Sequence, residues 1–187
     1  MIGFAMCGSY CTHRAALTQL EALIGMGLEI QPIVSENVYA TDTRFGRAED
    51  LIGRLEALCG RSVIHTVREA EPLGPAKPME ALILCPCTGN TLAKLASGVT
   101  DTAVTMAAKA HLRCDRPLVI TLASNDALSA NLCNIGTLLN RKSVYFVPMR
   151  QDDPEGKPHS LVADFMLLCP TLEAAMQGKQ LQRIFLQ

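Results

Sequence analysis

Leu82-Ile-Leu-Cys-Pro-Cys-Thr-Gly-Asn-Thr-Leu-Ala-Lys-Leu-Ala-Ser-Gly-Val-Thr-Asp101 decides how the rest of the chain is read. Ala81 to Cys85 is a short apolar run, suited to a strand buried on both faces. Pro86 is expected to stop it, because proline has no N–H for a sheet ladder. Thr88, Gly89, Asn90 and Thr91 form a small polar turn, and Leu92, Leu95 and Ala96 then recur at helical spacing. The segment therefore reads strand, polar turn, helix. Such a junction aims free backbone N–H groups, hydroxyls and an amide at one spot above a sheet, where a phosphate or a polar ring edge fits. On spacing alone it reads equally well as an ordinary connection with an Asn or Thr cap.

The same unit recurs on both sides of this stretch. Ile2 to Met6 reads as a first strand, followed by the turn Cys7-Gly8-Ser9-Tyr10-Cys11-Thr12 and a helix carrying Ala15, Ala16, Leu20, Leu23 and Ile24 to Gly25 or Gly27. Gly8 lets a ligand approach the backbone, and Ser9 and Thr12 offer hydroxyls. The turn is not G-x-G-x-x-G, so the dinucleotide fingerprint is absent. Leu28 to Val34 reads as a second strand, and Ser35 after it reads, from the residues alone, as a cap. Glu36 to Arg47 is polar and irregular; its Arg44 carries a guanidinium suited to a carboxylate or phosphate, though from the residues alone a solvated surface side chain is the more ordinary reading. Ala48 to Cys59 predicts an amphipathic helix closed by Gly60, and Ser62 to Val67 a short strand. Pro72, Pro75 and Pro78 stiffen the connector that leads to Ala81.

After Asp101 the spacing predicts a helix over 102–112 and a strand over 117–122. Ala123-Ser124-Asn125-Asp126 is another strand-to-helix turn, and its helix carries Leu128, Leu132, Ile135, Leu138 and Leu139. Ser143 to Val147 reads as the last strand, 149–159 as a polar loop, and 161–168 with 171–177 as a closing helical region. The apolar end of the tail, 178–187, is expected to dock on a neighbouring subunit. No internal repeat or low-complexity tract is present. Alternation of strands and helices predicts an α/β fold: a doubly wound parallel sheet in a Rossmann-like or flavodoxin-like three-layer sandwich, one domain over 1–187. In such sheets ligands bind outside the carboxyl ends of the strands, at the switch in strand order. Four polar turns, at 7–12, 35, 86–91 and 124–126, fall on that rim.

Composition narrows the function. A formal charge of -1 with no basic block gives no electrostatic case for nucleic acid or an acidic membrane surface. Aromatics are only 4% and Trp is absent, which speaks against a stacking platform for single strands. No apolar run approaches the ~20 residues that span a bilayer, and the expected location is the cytoplasm. There a disulfide framework for the eight cysteines is not expected. If their two strands are neighbours, Cys7, Cys11, Cys85 and Cys87 would hang from the carboxyl ends, where four thiolates could bind Zn2+ or an iron–sulfur cluster; neither spacing is C-x2-C, so no metal is assigned and reduced thiols lining a pocket are expected. Asp152 and Asp153 read as part of a solvated turn, and His65 as a packed side chain.

Pro86-Cys-Thr-Gly-Asn-Thr91 resembles the Pro-Ala-Ser-Ala-Asn-Thr signature of the homo-oligomeric flavin-containing cysteine decarboxylase family, with Lys94, Gly98 and Asp101 where the longer motif has them. The resemblance implies FMN, with Asn90 at the reaction centre and Ser35 at the phosphate. Asn125 falls where that family has the Asn of a Pro-x-Met-Asn-x-x-Met-Trp substrate clamp, but the Pro, Met and Trp are missing. A narrower resemblance spans the chain: Thr43-Arg-Phe-Gly46, Glu71-Pro-Leu-Gly-Pro75, Thr88-Gly-Asn90, Asn125-Asp-Ala-Leu128, Tyr145-Phe-Val-Pro148 and Gly178-Lys-Gln-Leu181 resemble the family of dipicolinate synthase B subunits. It implies oxidation of dihydrodipicolinate, or its hydrated precursor, to a flat dicarboxylate during sporulation, on a branch of the lysine pathway. It also implies an A subunit with its own NADP site, and homo-oligomers built on trimers. With FMN on this chain, Gly8, Ser9 and Ser35 are expected at the phosphate, Thr88, Asn90, Thr91, Ser124 and Asn125 around the ring or substrate, and Arg44 at a substrate carboxylate. Two other classes compete: a flavin decarboxylase, against which the broken clamp speaks, and a non-catalytic scaffold, which activity of the A subunit alone would favour.

Overall fold

The computed structural model describes residues 1–186. Its centre is three strands that are buried along their whole length: β1 (Ile2–Met6), β3 (Ala81–Cys87) and β4 (Leu118–Ser124). They are parallel neighbours, with Ile2 opposite Ala81 and Leu82 opposite Leu118. β2 (Ile30–Val34) pairs with β1 on the other side, giving the order β2-β1-β3-β4. β4 then divides its far edge. Leu118 to Ile120 pair in parallel with β5 (Val144–Phe146), and Ala123 and Ser124 pair antiparallel with β7 (Leu161–Ala163), which carries β6 (Met149–Arg150) outside it. The sheet is thus the expected doubly wound one, mostly parallel, with an antiparallel corner. Continuous apolar strands fit only where helices cover both faces. One layer holds α1 (His13–Gly25) and α8 (Leu168–Met176); the other holds α4 (Val67–Ala70), α5 (Gly89–Ser97), α6 (Ala103–Leu112) and α7 (Leu132–Leu139). Phe4, Met6 and Phe146 lie fully buried in the core.

The structure departs from the sequence reading where partners matter more than local pattern. The strand expected over 62–67 is a single bridge, Ile33 to Ile64. Ile64 N–H donates to Pro32 O at 3.0 Å, but Pro32 has no N–H to return on that outer side, so the ladder cannot grow. Thr66 and Glu69 instead cap each other and start α4. Pro86 does not end β3. The strand runs on to Cys87 through a register shift after Leu84, and Pro86 O accepts from Cys7 N–H at 3.2 Å. Glu36–Ala40, expected to be irregular, is a short helix, α2, capped by Ser35. Leu161–Ala163, expected to be helical, is β7, because its alternate residues face the core and Asp164 caps the turn that follows. The tail docks on its own chain: Met149 N–H donates to Ile184 O and Leu186 N–H to Met149 O, each at 2.9 Å. Helix α3 (Ala48–Cys59) and its Gly60 cap lie where the pattern puts them. Among the described residues no helix is long and apolar enough to cross a membrane.

Candidate functional site

The carboxyl ends of β1, β2, β3 and β4 form one rim at the switch in strand order. After β1, Ser9 takes a left-handed conformation, φ 60° and ψ 42°, and its carbonyl accepts both the N–H and the hydroxyl of Thr12, at 2.9 and 2.8 Å. Ser9 Oγ crosses the sheet end to donate to Ala123 O at 3.2 Å. After β2, Ser35 N–H donates to Met6 O at 3.0 Å, and Ser35 Oγ accepts from Val38 N–H at 3.4 Å. Glu36 Oε1 accepts from Ala103 N–H at 2.9 Å and ties α2 to the start of α6. After β3, Thr88 Oγ1 accepts from Thr91 N–H and donates to Thr91 Oγ1, each at 3.2 Å. After β4, Ser124 Oγ donates to Asp126 Oδ1, and Asn131 Nδ2 to Asp126 Oδ2 at 2.9 Å.

This separates the expected ligand contacts into two kinds. The hydroxyls of Ser9, Ser35, Thr88, Thr91 and Ser124 hold the turns in shape. Asn90 and Asn125 are exposed, and among the described residues their side-chain amides make no hydrogen bond. They are exposed polar heads on the rim; beside them, Glu36 Oε2 is buried without a hydrogen-bond partner. Gly8 sits between the first and third turns, where an added Cβ would lie 3.4 Å from Thr88 Cγ2. Among the described residues the N–H groups of Gly8 and Ser9 donate to no backbone carbonyl.

Beside the first turn a cleft of about 490 Å3 runs between α1 and the segment 38–54. Tyr10, His13, Val38 and Leu51 line it, together with Thr43, Phe45 and Gly46 of a tight hairpin. Arg44 lies within that hairpin but is not a lining residue; its guanidinium carbon stands 4.9 Å from the centroid of the Phe45 ring. Arg14 does line the cleft, as do Arg47 and Arg54, which pair with Glu49 and Glu21 at 2.6 and 2.7 Å.

Of the four rim cysteines, Cys7, Cys85 and Cys87 are buried and only Cys11 is exposed. Burial pushes the Cys7 thiol up to about 11, Cys85 to about 12 and Cys87 well above the usual thiol range. Among the described residues no group of three or more Cys, His, Asp or Glu is placed to hold a metal ion. Iodoacetamide at neutral pH is therefore expected to label Cys11 and Cys133, the exposed pair, in the native protein, and Cys7, Cys85 and Cys87 only after denaturation. Mass mapping of the labelled peptides checks this, and native labelling of Cys85 at the rate of Cys11 would contradict it.

Sequence reasoning missed two buried histidines and one polar network. His13 Nε2 lies 2.9 Å from Cys7 O and braces the first turn; His111 Nε2 lies 2.9 Å from Pro117 O. Burial lowers both below the ordinary value of 6.5. Below pH 6.5 the unfolded chain takes up protons that the folded chain refuses, so this stability is full above 6.5 and is lost as the pH falls beneath it. His111→Gln, which keeps an N–H for Pro117 O but does not titrate, is expected to flatten the fall in urea midpoint between about pH 7 and pH 5. An unchanged slope would dismiss His111 as a source of it. The network is Ser124, Asp126, Asn131 and Asn134, with Asn134 Nδ2 donating to Asn131 Oδ1 at 2.9 Å. Its signal in the sequence is the density of short polar residues after a buried strand.

Comparison with known proteins bears on the family and the fold. The model of the flavoprotein family matches residues 1–176. The chain is 43% identical over 186 residues to the B subunit of dipicolinate synthase from Bacillus subtilis (strain 168), a match that covers 100% of this chain and 93% of that one. The crystal structure of the dipicolinate synthase B subunit from Bacillus halodurans C superposes with a TM-score of 0.91 at 39% identity, covering 100% of this chain and 95% of that chain. The FMN-dependent cysteine decarboxylase SpaF superposes at 0.67 with 20% identity over 95% of each chain, a likeness of fold alone.

Proposed function

This chain belongs to the flavoprotein family, and from that premise we propose that it is the B subunit of a dipicolinate synthase, with FMN on its rim. In this reading it takes part in oxidising dihydrodipicolinate, or its hydrated precursor, to pyridine-2,6-dicarboxylate, beside an A subunit that carries NADP. The observation that carries the reading is the 43% identity to a dipicolinate synthase B subunit over a match that covers 100% of this chain. The rim's own chemistry suits the cofactor. The N–H groups of Gly8 and Ser9, which donate to no backbone carbonyl among the described residues, form an anion cradle beside Ser35, whose hydroxyl can donate to a phosphate while it accepts from Val38.

Bound there, FMN supplies an acceptor for the hydride equivalent that the oxidation releases. The chain's part is to bind and orient. Gly8, Ser9 and Ser35 hold the phosphate. Asn90 and Asn125 present amides to the ring edge or to the substrate, and Asn90 polarises the reacting ligand. Thr88, Thr91 and Ser124 keep those amides in place around the same ligand. Arg44, on the cleft hairpin, and Arg14, on its wall, are the cations offered to a substrate carboxylate. Association into trimers or multiples of trimers would close the rim from outside.

An absorption spectrum of the purified chain, alone and with added FMN, tests this. A flavin-shaped band at one FMN per chain is expected. No band and no FMN binding would remove the flavin from the reading. Dihydrodipicolinate oxidation at full rate by the A subunit alone would reduce this chain to a scaffold.

A further inference from the structure

The group after β4 is built for more than closing a turn. Asp126 sits between two buried donors: Ser124, 8% exposed, gives its hydroxyl to Oδ1, and Asn131, 4% exposed, gives its amide to Oδ2 at 2.9 Å. The Asp126 carbonyl accepts the N–H groups of Ser129 and Asn131, each at 3.1 Å, so the loop is wound around this one residue. Asn134 holds Asn131 from behind at 2.9 Å. Two other turns lean on the group. Gly89 lies against it so closely that a Cβ there would be 2.5 Å from Ser124 Oγ, 2.6 Å from Asp126 Oδ1 and 2.7 Å from Asn131 Nδ2. Ser9 Oγ lands on Ala123 O, the carbonyl just before Ser124. The residues next to these contacts are Asn90 and Asn125, the two free amides, and Gly8, at the anion cradle.

From this geometry we infer that Asp126 is the positioning residue of the ligand rim. It locks Ser124 and Asn131 into a polar floor that fixes the Gly89–Asn90 and Asn125 segments against the first turn. The inference rests on the flavin reading for its ligand, but not for its geometry. Both carboxylate oxygens of the half-buried Asp126 are taken by Ser124 and Asn131, so its role is to hold other groups still. A partly buried hydrogen-bond network of this kind specifies one arrangement only when every member is satisfied.

The test uses the full chain and four variants: Asp126→Ala, Asp126→Asn, the double variant Asp126→Asn with Asn131→Asp, and Leu23→Ala. The double variant exchanges donor and acceptor across the same bond. Leu23→Ala weakens the core at the far end of α1, away from the rim. FMN affinity is read by flavin fluorescence, stability by urea midpoint, and hydrogen exchange by mass spectrometry over 88–91 and 124–128. Asp126→Ala and Asp126→Asn are expected to weaken FMN binding tenfold or more and to speed exchange in both turns. The double variant should restore both to within about threefold, and Leu23→Ala should lower the midpoint while leaving FMN affinity within twofold. FMN affinity unchanged in Asp126→Ala would overturn the inference, as would an equal loss in Leu23→Ala. If the wild type binds no FMN, the flavin reading fails, and exchange in the 88–91 turn decides: faster in Asp126→Ala and restored in the double variant supports the inference, and no change overturns it.

Discussion

Gly89→Ala is expected to lower stability by about 2–4 kcal/mol, the cost of leaving one or two buried polar groups unpaired, and to weaken any ligand of the rim with it. The helix is not the reason. Gly89 opens α5 with no unusual backbone demand, and alanine is the better helix former. What forbids it is the floor beneath. The new methyl would sit 2.5 to 2.7 Å from Ser124 Oγ, Asp126 Oδ1 and Asn131 Nδ2, atoms already engaged with one another. They cannot swing aside without breaking those bonds, two of whose members, Ser124 and Asn131, are only 8% and 4% exposed. Gly136 supplies the contrast. It lies exposed within α7 with nothing within 4 Å of an added Cβ, so Gly136→Ala is expected to gain roughly 0.5–1 kcal/mol. Urea unfolding of the two variants checks both signs at once. A neutral Gly89→Ala would mean that the floor yields, and would undercut the rigid rim on which the functional reading rests.

The contrast between these two glycines also shows what can be read from a chain of letters. Local chemistry decides β1, β3, α3 and the Gly60 cap, and each is legible because burial on both faces or one apolar stripe leaves its mark on consecutive residues. The rim follows from topology, since every parallel strand ends on it. What the letters do not carry is who pairs with whom. Ser62 to Val67 has the composition of a strand, and fails as one because Pro32, about thirty residues earlier, offers no N–H on the facing side. Leu161 to Ala163 has the look of a helix start, and becomes a strand because Ala123 and Ser124 leave half an edge free. The same limit applies within the site. Ser9, Thr88, Thr91 and Ser124 are as polar as Asn90 and Asn125, and only the positions of Ala123 O, Thr91 N–H and Asp126 show which hydroxyls are already engaged.

That division leads to the sharpest functional expectation, at Asn90. Its side chain is exposed and without a hydrogen-bond partner among the described residues, so Asn90→Ala should change stability by no more than about 0.5 kcal/mol, as surface substitutions usually do. If its amide meets the reacting ligand, activity with the A subunit should fall about 10²–10³-fold, the usual cost of losing one well-placed donor. Asn90→Asp separates the two effects further. A carboxylate in the first turn of α5 favours the helix by roughly 0.3–1 kcal/mol, yet it cannot donate and brings negative charge towards an anionic ligand. The Asp variant is therefore expected to be at least as stable as the wild type and at least as inactive as Asn90→Ala. Turnover and urea midpoints measured on the same preparations give the answer. Loss of both together would make Asn90 a structural residue, and retention of both would move the chemistry off this turn to Asn125 or to the A subunit.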